Sequence, residues 1–200
     1  MRPLSLGPQR REVCPQAALR TASLHKWREV YPQRHLKCRQ PNLRYGLGHN
    51  PPDIGWLLAR YREARAALEA AGVGHVPCMN DTLAGNFMLN DRQEIMLVDF
   101  EYASNNDPFY ELGLWFGEMF FPPEIEAELL EEYFGRLDPQ IEARVWIGKA
   151  LADMKWSTWA MVQSCVSKLD FDFHKYGVWK HMRARQVMHD PRWESWLRAV

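Results

Sequence analysis

Cys78-Met79-Asn80-Asp81-Thr82-Leu83-Ala84-Gly85-Asn86-Phe87, followed by Leu97-Val98-Asp99-Phe100-Glu101-Tyr102, is the stretch that decides how this 200-residue sequence is read. Asp81 and Asn86 are separated by four residues, and Asp99 stands thirteen residues after Asn86 at the end of an apolar run. Phe87–Leu89 and Ile95–Val98 are short apolar runs on either side of the polar turn Asn90-Asp91-Arg92, which predicts a small β-hairpin. Such a hairpin returns Asp99 to the end at which Asn86 sits. Gly85 allows a tight backbone path just before Asn86.

Outward from this stretch the grammar is helical. Asp107-Pro108 and Asp138-Pro139 each place a capping oxygen before a proline at the first helical position. A short acidic helix runs from Glu124 to Phe134 and is closed by Gly135. A long helix follows from Pro139 to about Leu169, and another from Tyr176 to His189, ended by Asp190-Pro191. Upstream, Ile54, Leu57, Leu58, Tyr61 and Leu68 recur at helical spacing from Asp53, a predicted N-cap, to Gly72. Residues 53–200 therefore read as mainly α (α+β), a helical body carrying a loop and a hairpin.

Residues 1–52 differ. Prolines punctuate them, no period of 3.6 or 2 is sustained, and short helical turns are expected only around Ala17–Val30. Residues 1–50 hold ten Lys/Arg against Glu12 and Glu29 alone, a net +8 balanced by −8 in the rest of a chain that is neutral overall. This is an irregular basic N-terminal extension. It lacks a regular basic face or interleaved aromatics, so no nucleic-acid partner is expected.

Composition excludes other classes. Apolar residues at 46% and aromatics at 12% are ample for a packed core. Cys14, Cys38, Cys78 and Cys165 are scattered without a C-x-x-C pair, which argues for free thiols over a thiolate metal site. There is no secretory apolar segment and no apolar run of about 18 residues. A cytoplasmic protein without a membrane span is expected; the Arg-rich start suits a transit peptide, but serine is sparse for one.

Phosphoryl transfer from ATP demands positioning and charge neutralisation more than covalent chemistry. It needs a carboxylate to receive the acceptor's proton, and an amide oxygen and a second carboxylate to hold magnesium against the phosphates. Asp81, Asn86 and Asp99 are those residue types, at the D-x-x-x-x-N spacing of a kinase catalytic loop. That spacing alone recurs by chance, and Asp81 as a loop cap is the bland alternative. Joined to Leu-Val-Asp-Phe-Glu-Tyr at hairpin distance, the kinase-loop reading prevails.

Residues from about Asp53 to Met188 resemble the choline/ethanolamine kinase branch of the aminoglycoside phosphotransferase (protein-kinase-like) superfamily. That branch carries H-x-D-x-x-x-x-N followed by an I-D-[WF]-E-Y segment. Pro77-Cys78-Met79-Asn80-Asp81 through Asn86, with Val98-Asp99-Phe100-Glu101-Tyr102-Ala103, is close to that wording. The resemblance implies the C-terminal lobe of a protein-kinase-like fold, with Asp81 as catalytic base, Asn86 and Asp99 as Mg2+ ligands, and ATP as a substrate. It also gives Glu101, Asp107 and Glu111 supporting roles, the last two capping and bracing the loop. One departure is plain. The family's loop histidine is Met79 here, which fills volume but donates no hydrogen bond, and nothing suggests that His75 substitutes.

Trp156 and Trp159, at i and i+3 on the long helix, share a face. Clustered aromatics are most often core. A quaternary ammonium group, however, is recognised by aromatic faces with a carboxylate nearby. The W-x-x-W pair, followed by Leu169-Asp170-Phe171-Asp172-Phe173, Tyr176 and Trp179, resembles the choline site of the family in wording and order, and Glu118 matches an acidic position lining it. The acceptor implied is a small amino alcohol, choline or ethanolamine, in preference to an aminoglycoside. Gly46-Leu47-Gly48 is too short and too close to Pro51 to be a phosphate-covering loop, and no V-A-I-K-like strand precedes the catalytic loop. The N-lobe thus reads as missing. The expectation is a phosphotransferase impaired for that reason, the alternative a non-catalytic remnant or pseudokinase module that keeps a choline-type site. Either would expose an uncovered face and self-associate through it.

Overall fold

The structure, a computed structural model, describes residues 51–200. The basic extension and its helical turns lie outside the described residues, apart from Pro51 and Pro52. Helix α1 spans Ile54–Ala71 and leads through strand β1 (Val76–Cys78) into the Asp81 loop. A 3-10 turn at Ala84–Asn86 enters the hairpin of β2 (Phe87–Leu89) and β3 (Ile95–Leu97). Strand β4 (Ser104–Asn106) then precedes helices α2 (Pro108–Met119), α3 (Pro123–Phe134), α4 (Pro139–Val166), α5 (Phe173–Met188) and α6 (Trp193–Ala199). The β2–β3 hairpin pairs Phe87 with Leu97 and Leu89 with Ile95.

Capping sets several of these boundaries. Asp107 accepts a hydrogen bond from the Phe109 amide at 2.9 Å, and Asp138 accepts one from Ile141 at 2.9 Å. Gly135 ends α3 in the left-handed region, φ 70°, where glycine has no side chain to clash. Asp53 departs from expectation. It makes no capping hydrogen bond to α1; its carboxylate instead accepts both Nε (2.5 Å) and Nη2 (2.7 Å) of Arg185. A bidentate guanidinium is the stronger partner. Helix α5 begins at Phe173, three residues before Tyr176, because Asp172 accepts from the Lys175 amide at 2.8 Å.

The 28-residue α4 is the axis of the body, with α1, α2, α5 and α6 packed around it. One cluster joins Leu57 and Ala64 of α1, Ile147 and Met154 of α4, Met188 of α5 and Trp193 of α6. Trp146 and Trp196 stack with ring centroids 5.1 Å apart. Helices α2 and α4 cross with their backbones in contact. A Cβ on Gly113 would lie 2.6 Å from the Lys149 amide nitrogen, and one on Gly148 would lie 2.6 Å from the Phe109 carbonyl oxygen. The fold needs that closeness, because α2 and α4 carry opposite walls of the candidate site.

His181 is buried on α5, and neither ring nitrogen has a hydrogen-bond partner. Burial first, and the nearby Arg185 cation second, push its pKa down to about 4, with Asp53 opposing. A histidine held neutral in the fold but free to protonate when unfolded stabilises the protein above its unfolded pKa, about 6.5. That contribution is lost as pH falls through the window from about 6.5 to about 4. Acidification from pH 7 to pH 5 is therefore expected to remove about 2 kcal/mol through this residue. The check is urea denaturation at both pH values, comparing wild type with His181→Leu. The comparison matters because Asp153, lifted to about 6 by burial, acts in the opposite sense. An identical pH dependence in both proteins would refute the assignment.

Candidate active site

The β1–β4 pairing, unread from sequence, positions the Asp81 loop. Val76 pairs with Asn106 and Cys78 with Ser104, so the chain leaves β1 beside the segment that follows Asp99. Asn80 locks this junction. Its Nδ2 donates to the Tyr102 carbonyl at 3.1 Å and to Ser104 Oγ at 3.0 Å, and its Oδ1 accepts from Asn106 Nδ2 at 2.6 Å. Asn80 takes a left-handed φ of 61°, a region that asparagine enters with less penalty than most residues.

Glu111, in the first turn of α2, reaches back to the same loop. It accepts the Met79 amide at 2.7 Å on Oε1 and the Asn80 amide at 3.0 Å on Oε2. Two backbone donors that no strand satisfies are thus paired with one carboxylate. Burial still lifts the Glu111 carboxyl above its usual range, against the pull of those hydrogen bonds. Met79 is buried, and the bracing passes through its main chain.

Asp81 follows at the mouth of the loop, half-buried. The Asn86 side chain donates from Nδ2 to the Asp81 carbonyl at 3.0 Å, and the Val98 amide donates to the Asn86 carbonyl at 3.0 Å. These two bonds bring Asp81, Asn86 and the residue before Asp99 to one end of the hairpin. With its nitrogen committed, the Asn86 amide keeps Oδ1 as an acceptor. Asp99 is exposed and left-handed, φ 63°. Gly85, by contrast, takes no left-handed angle; the turn tolerates a side chain there, and Asn80 and Asp99 absorb the unusual backbone. Burial is the main force lifting the Asp81 carboxyl, with Asp99, Glu118 and Glu101 adding like charge and Lys155 opposing them.

The second wall is aromatic. Tyr102 meets Trp156 edge-on at 5.3 Å, Trp156 meets Trp159 at 5.5 Å, and Trp159 meets Tyr176 at 6.1 Å. Trp156 is 5% exposed and packs with Leu114 and Ala152, whereas Trp159 is only partly buried. Glu118, on α2, does not stand free. Its Oε1 accepts a hydrogen bond from Lys180 Nζ, and the Arg183 guanidinium lies 3.7 Å away. Asp153 completes the group, 2.9 Å from Arg183 and 3.7 Å from Lys180.

Lys155 was not among the residues singled out from sequence, where it is merely the neighbour of Trp156. Its ammonium lies 4.7 Å from the Trp156 ring, 5.7 Å from Tyr110 and 5.9 Å from Tyr102. Burial lowers its pKa, and the carboxylates of Asp81 and Glu111 hold it up. Lys155→Met is expected to raise the pKa of Asp81, since the main counter-charge is lost; a 13C titration of the labelled carboxyl reads this. An unchanged or lowered value would show that Lys155 does not face the loop.

A carboxylate-bearing loop, an adjoining Asn/Asp hairpin and a body of helices have the arrangement of the helical lobe of a kinase-like fold. The sequence comparisons agree. Residues 54–133 match the choline/ethanolamine kinase family. The chain is 28% identical over 141 residues to a probable ethanolamine kinase of Arabidopsis thaliana, covering 58% of this chain and 37% of that protein. It is also 28% identical over 136 residues to ethanolamine kinase 1 of Mus musculus, covering 56% and 38% respectively. In structure it is similar to a choline/ethanolamine kinase family protein from Mesorhizobium loti, with a TM-score of 0.69 and 29% identity over 74% of this chain and 51% of that one. A choline kinase from Streptococcus pneumoniae is similar at a TM-score of 0.60 and 27% identity, over 69% of this chain and 48% of that one. Over residues 54–133 this chain is therefore similar to the choline/ethanolamine kinase family. It spans well under half the length of the curated relatives it matches. Among the described residues, no helix is long and apolar enough to cross a membrane.

Proposed function

We propose that this chain carries the acceptor side and catalytic loop of an ATP- and Mg2+-dependent phosphotransferase acting on the hydroxyl of a small amino alcohol, choline or ethanolamine. The observation that carries this reading is the gathering of Asp81, Asn86 and Asp99 at one hairpin end, with the aromatic wall of Tyr102, Trp156, Trp159 and Tyr176 within electrostatic reach. Asp81 takes the hydroxyl proton as the acceptor oxygen forms its bond to the γ-phosphorus, and the bond to the bridging oxygen breaks to release ADP. Asn86 Oδ1 and the Asp99 carboxylate are hard oxygen donors suited to magnesium, the remaining positions being left to phosphate and water. Bound there, the ion supplies neutralisation of phosphate charge. Among the described residues no group of three or more His, Cys, Asp or Glu side chains is arranged for a metal, consistent with an amide–carboxylate pair that needs the nucleotide to complete its shell.

The second reading is a binding module without turnover, and Met79 in place of the family histidine favours it. Purified full chain assayed for Mg2+-dependent phosphate transfer from ATP to choline and ethanolamine separates the two. Transfer abolished by EDTA supports the enzyme. Saturable amine binding with no transfer supports the module, and neither binding nor transfer defeats both.

Self-association is part of the same proposal. Leu89, Ile95, Met96 and Phe100 of the hairpin region are exposed, and a cluster of that kind favours association. Sedimentation is expected to show concentration-dependent dimers or larger species; a strict monomer at high concentration would count against it.

A further inference from the structure

The acceptor reading places a substrate ammonium against Glu118, yet Glu118 already holds an ammonium belonging to the chain. Lys180 is 1% exposed, donates to Glu118 Oε1, and lies 5.2 Å from the Tyr176 ring. A cation against a carboxylate and an aromatic face is the arrangement by which an alkylammonium ligand is recognised. The surrounding charges balance, since Glu118 and Asp153 face Lys180 and Arg183. This four-residue group therefore offers no surplus negative charge at Glu118 to another cation while Lys180 remains in place.

A second observation shows where Lys180 can go. Asp153 is 2% exposed; its Oδ2 accepts from Arg183 Nε at 2.9 Å, but its Oδ1 has no hydrogen-bond partner and lies 3.7 Å from Lys180 Nζ. An unmet buried carboxylate oxygen is costly. Here it is a vacant position for the same ammonium, about one ångström of travel beyond hydrogen-bond distance.

We infer that Lys180 is a tethered competitor for the acceptor's cation, resting on Glu118 when the site is free and transferring to Asp153 when an alkylammonium takes Glu118. This rests on the acceptor reading above and adds a specificity residue to it. Two substitutions are expected to act in opposite directions. Lys180→Met keeps the buried stem but removes the competitor, and it leaves one uncompensated carboxylate. If the competitor occupies Glu118 in nine molecules of ten or more, amine affinity rises by about tenfold or more. Asp153→Asn removes the charge of the second position and is expected to weaken amine binding, while Lys180→Arg retains a cation and gains nothing.

The experiment is isothermal titration of the full chain and the three variants with choline and, separately, ethanolamine, each variant first shown by circular dichroism to be folded. Tighter binding by Lys180→Met together with weaker binding by Asp153→Asn supports the transfer. Equal affinity in all four proteins overturns the role of Lys180 while leaving the acceptor reading in place. No amine binding by any folded variant overturns the acceptor reading itself. If Asp153→Asn does not fold, the 15N signal of the Lys180 ammonium in wild type decides: a shift on adding amine supports transfer, and an unmoved signal under saturating amine refutes it.

Discussion

Asp81→Asn is expected to reduce phosphate transfer by a factor of about 10²–10⁴, the range that a positioned proton acceptor contributes. The fold is expected to survive, because the loop does not use the Asp81 carboxylate as a support. Asn86 bonds to the Asp81 carbonyl, and Glu111 to the amides of Met79 and Asn80. Removing the carboxylate relieves like charge from Asp99, Glu118 and Glu101, and in exchange takes a counter-charge from Lys155. The two effects oppose one another, so the thermal midpoint is expected to stay close to that of wild type while turnover collapses. Rates with radiolabelled ATP, together with a thermal melt, make the check. Transfer within tenfold of wild type, in preparations where it scales with the amount of this chain, would remove Asp81 from the chemistry.

The largest stability effect is expected at Gly113. By helix propensity alone, alanine at an interior helical glycine stabilises by about 1 kcal/mol. Here the added Cβ would sit 2.6 Å from Lys149 N and 2.8 Å from Val145 O. Both are backbone atoms of α4, which cannot swing aside as a side chain would. The helices must separate or the site must strain, and overpacking of this kind costs about 1–3 kcal/mol or more. Gly113→Ala is therefore expected to lose about 2 kcal/mol in urea denaturation, a sign opposite to that from propensity. Separation would also carry Glu111 and Glu118 away from α4, so amine binding is expected to weaken in the same variant. A stabilised Gly113→Ala would mean that the two backbones are not in contact.

How far the sequence was legible follows from where the information was local. The hairpin, the Asp-Pro helix starts and the Gly135 stop are written in neighbouring residues, and they are found within a few positions of where periodicity and capping put them. The β1–β4 pairing was not legible. Val-Pro-Cys and Ser-Asn-Asn have no alternation, and the pair exists because Asn80 and Glu111 satisfy the groups around it. Asp53 stands at the N-cap position as read, but its carboxylate is spent on Arg185, 132 residues away, which no local pattern reveals. Helix α6 escaped notice for its brevity, although Trp193 and Trp196 enter the main core.

In the candidate site the proposed reacting residues were picked out by spacing, but their electrostatic setting was not legible. Lys155, Lys180, Arg183 and Asp153 lie on two helices and carry no motif. Only the meeting of α2 with α5 shows that Glu118 has a resident cation. A hint existed in the sequence, since lysine at position 180 sits on a face shared with Tyr176 and is four residues after it.

The β2–β3 ribbon has a further consequence. Its strands are three residues each, and Met88, Leu89, Ile95 and Met96 are all more than half exposed. A two-stranded ribbon with no buried face is marginal on its own, so its amides are expected to exchange with solvent far sooner than those of α4. Asn86 and Asp99 close that ribbon, and among the described residues its one ring contact with the helical body is Phe87 stacked on Trp115 of α2 at 6.1 Å. Hydrogen exchange of the ribbon amides, compared with those of α4, checks that difference directly.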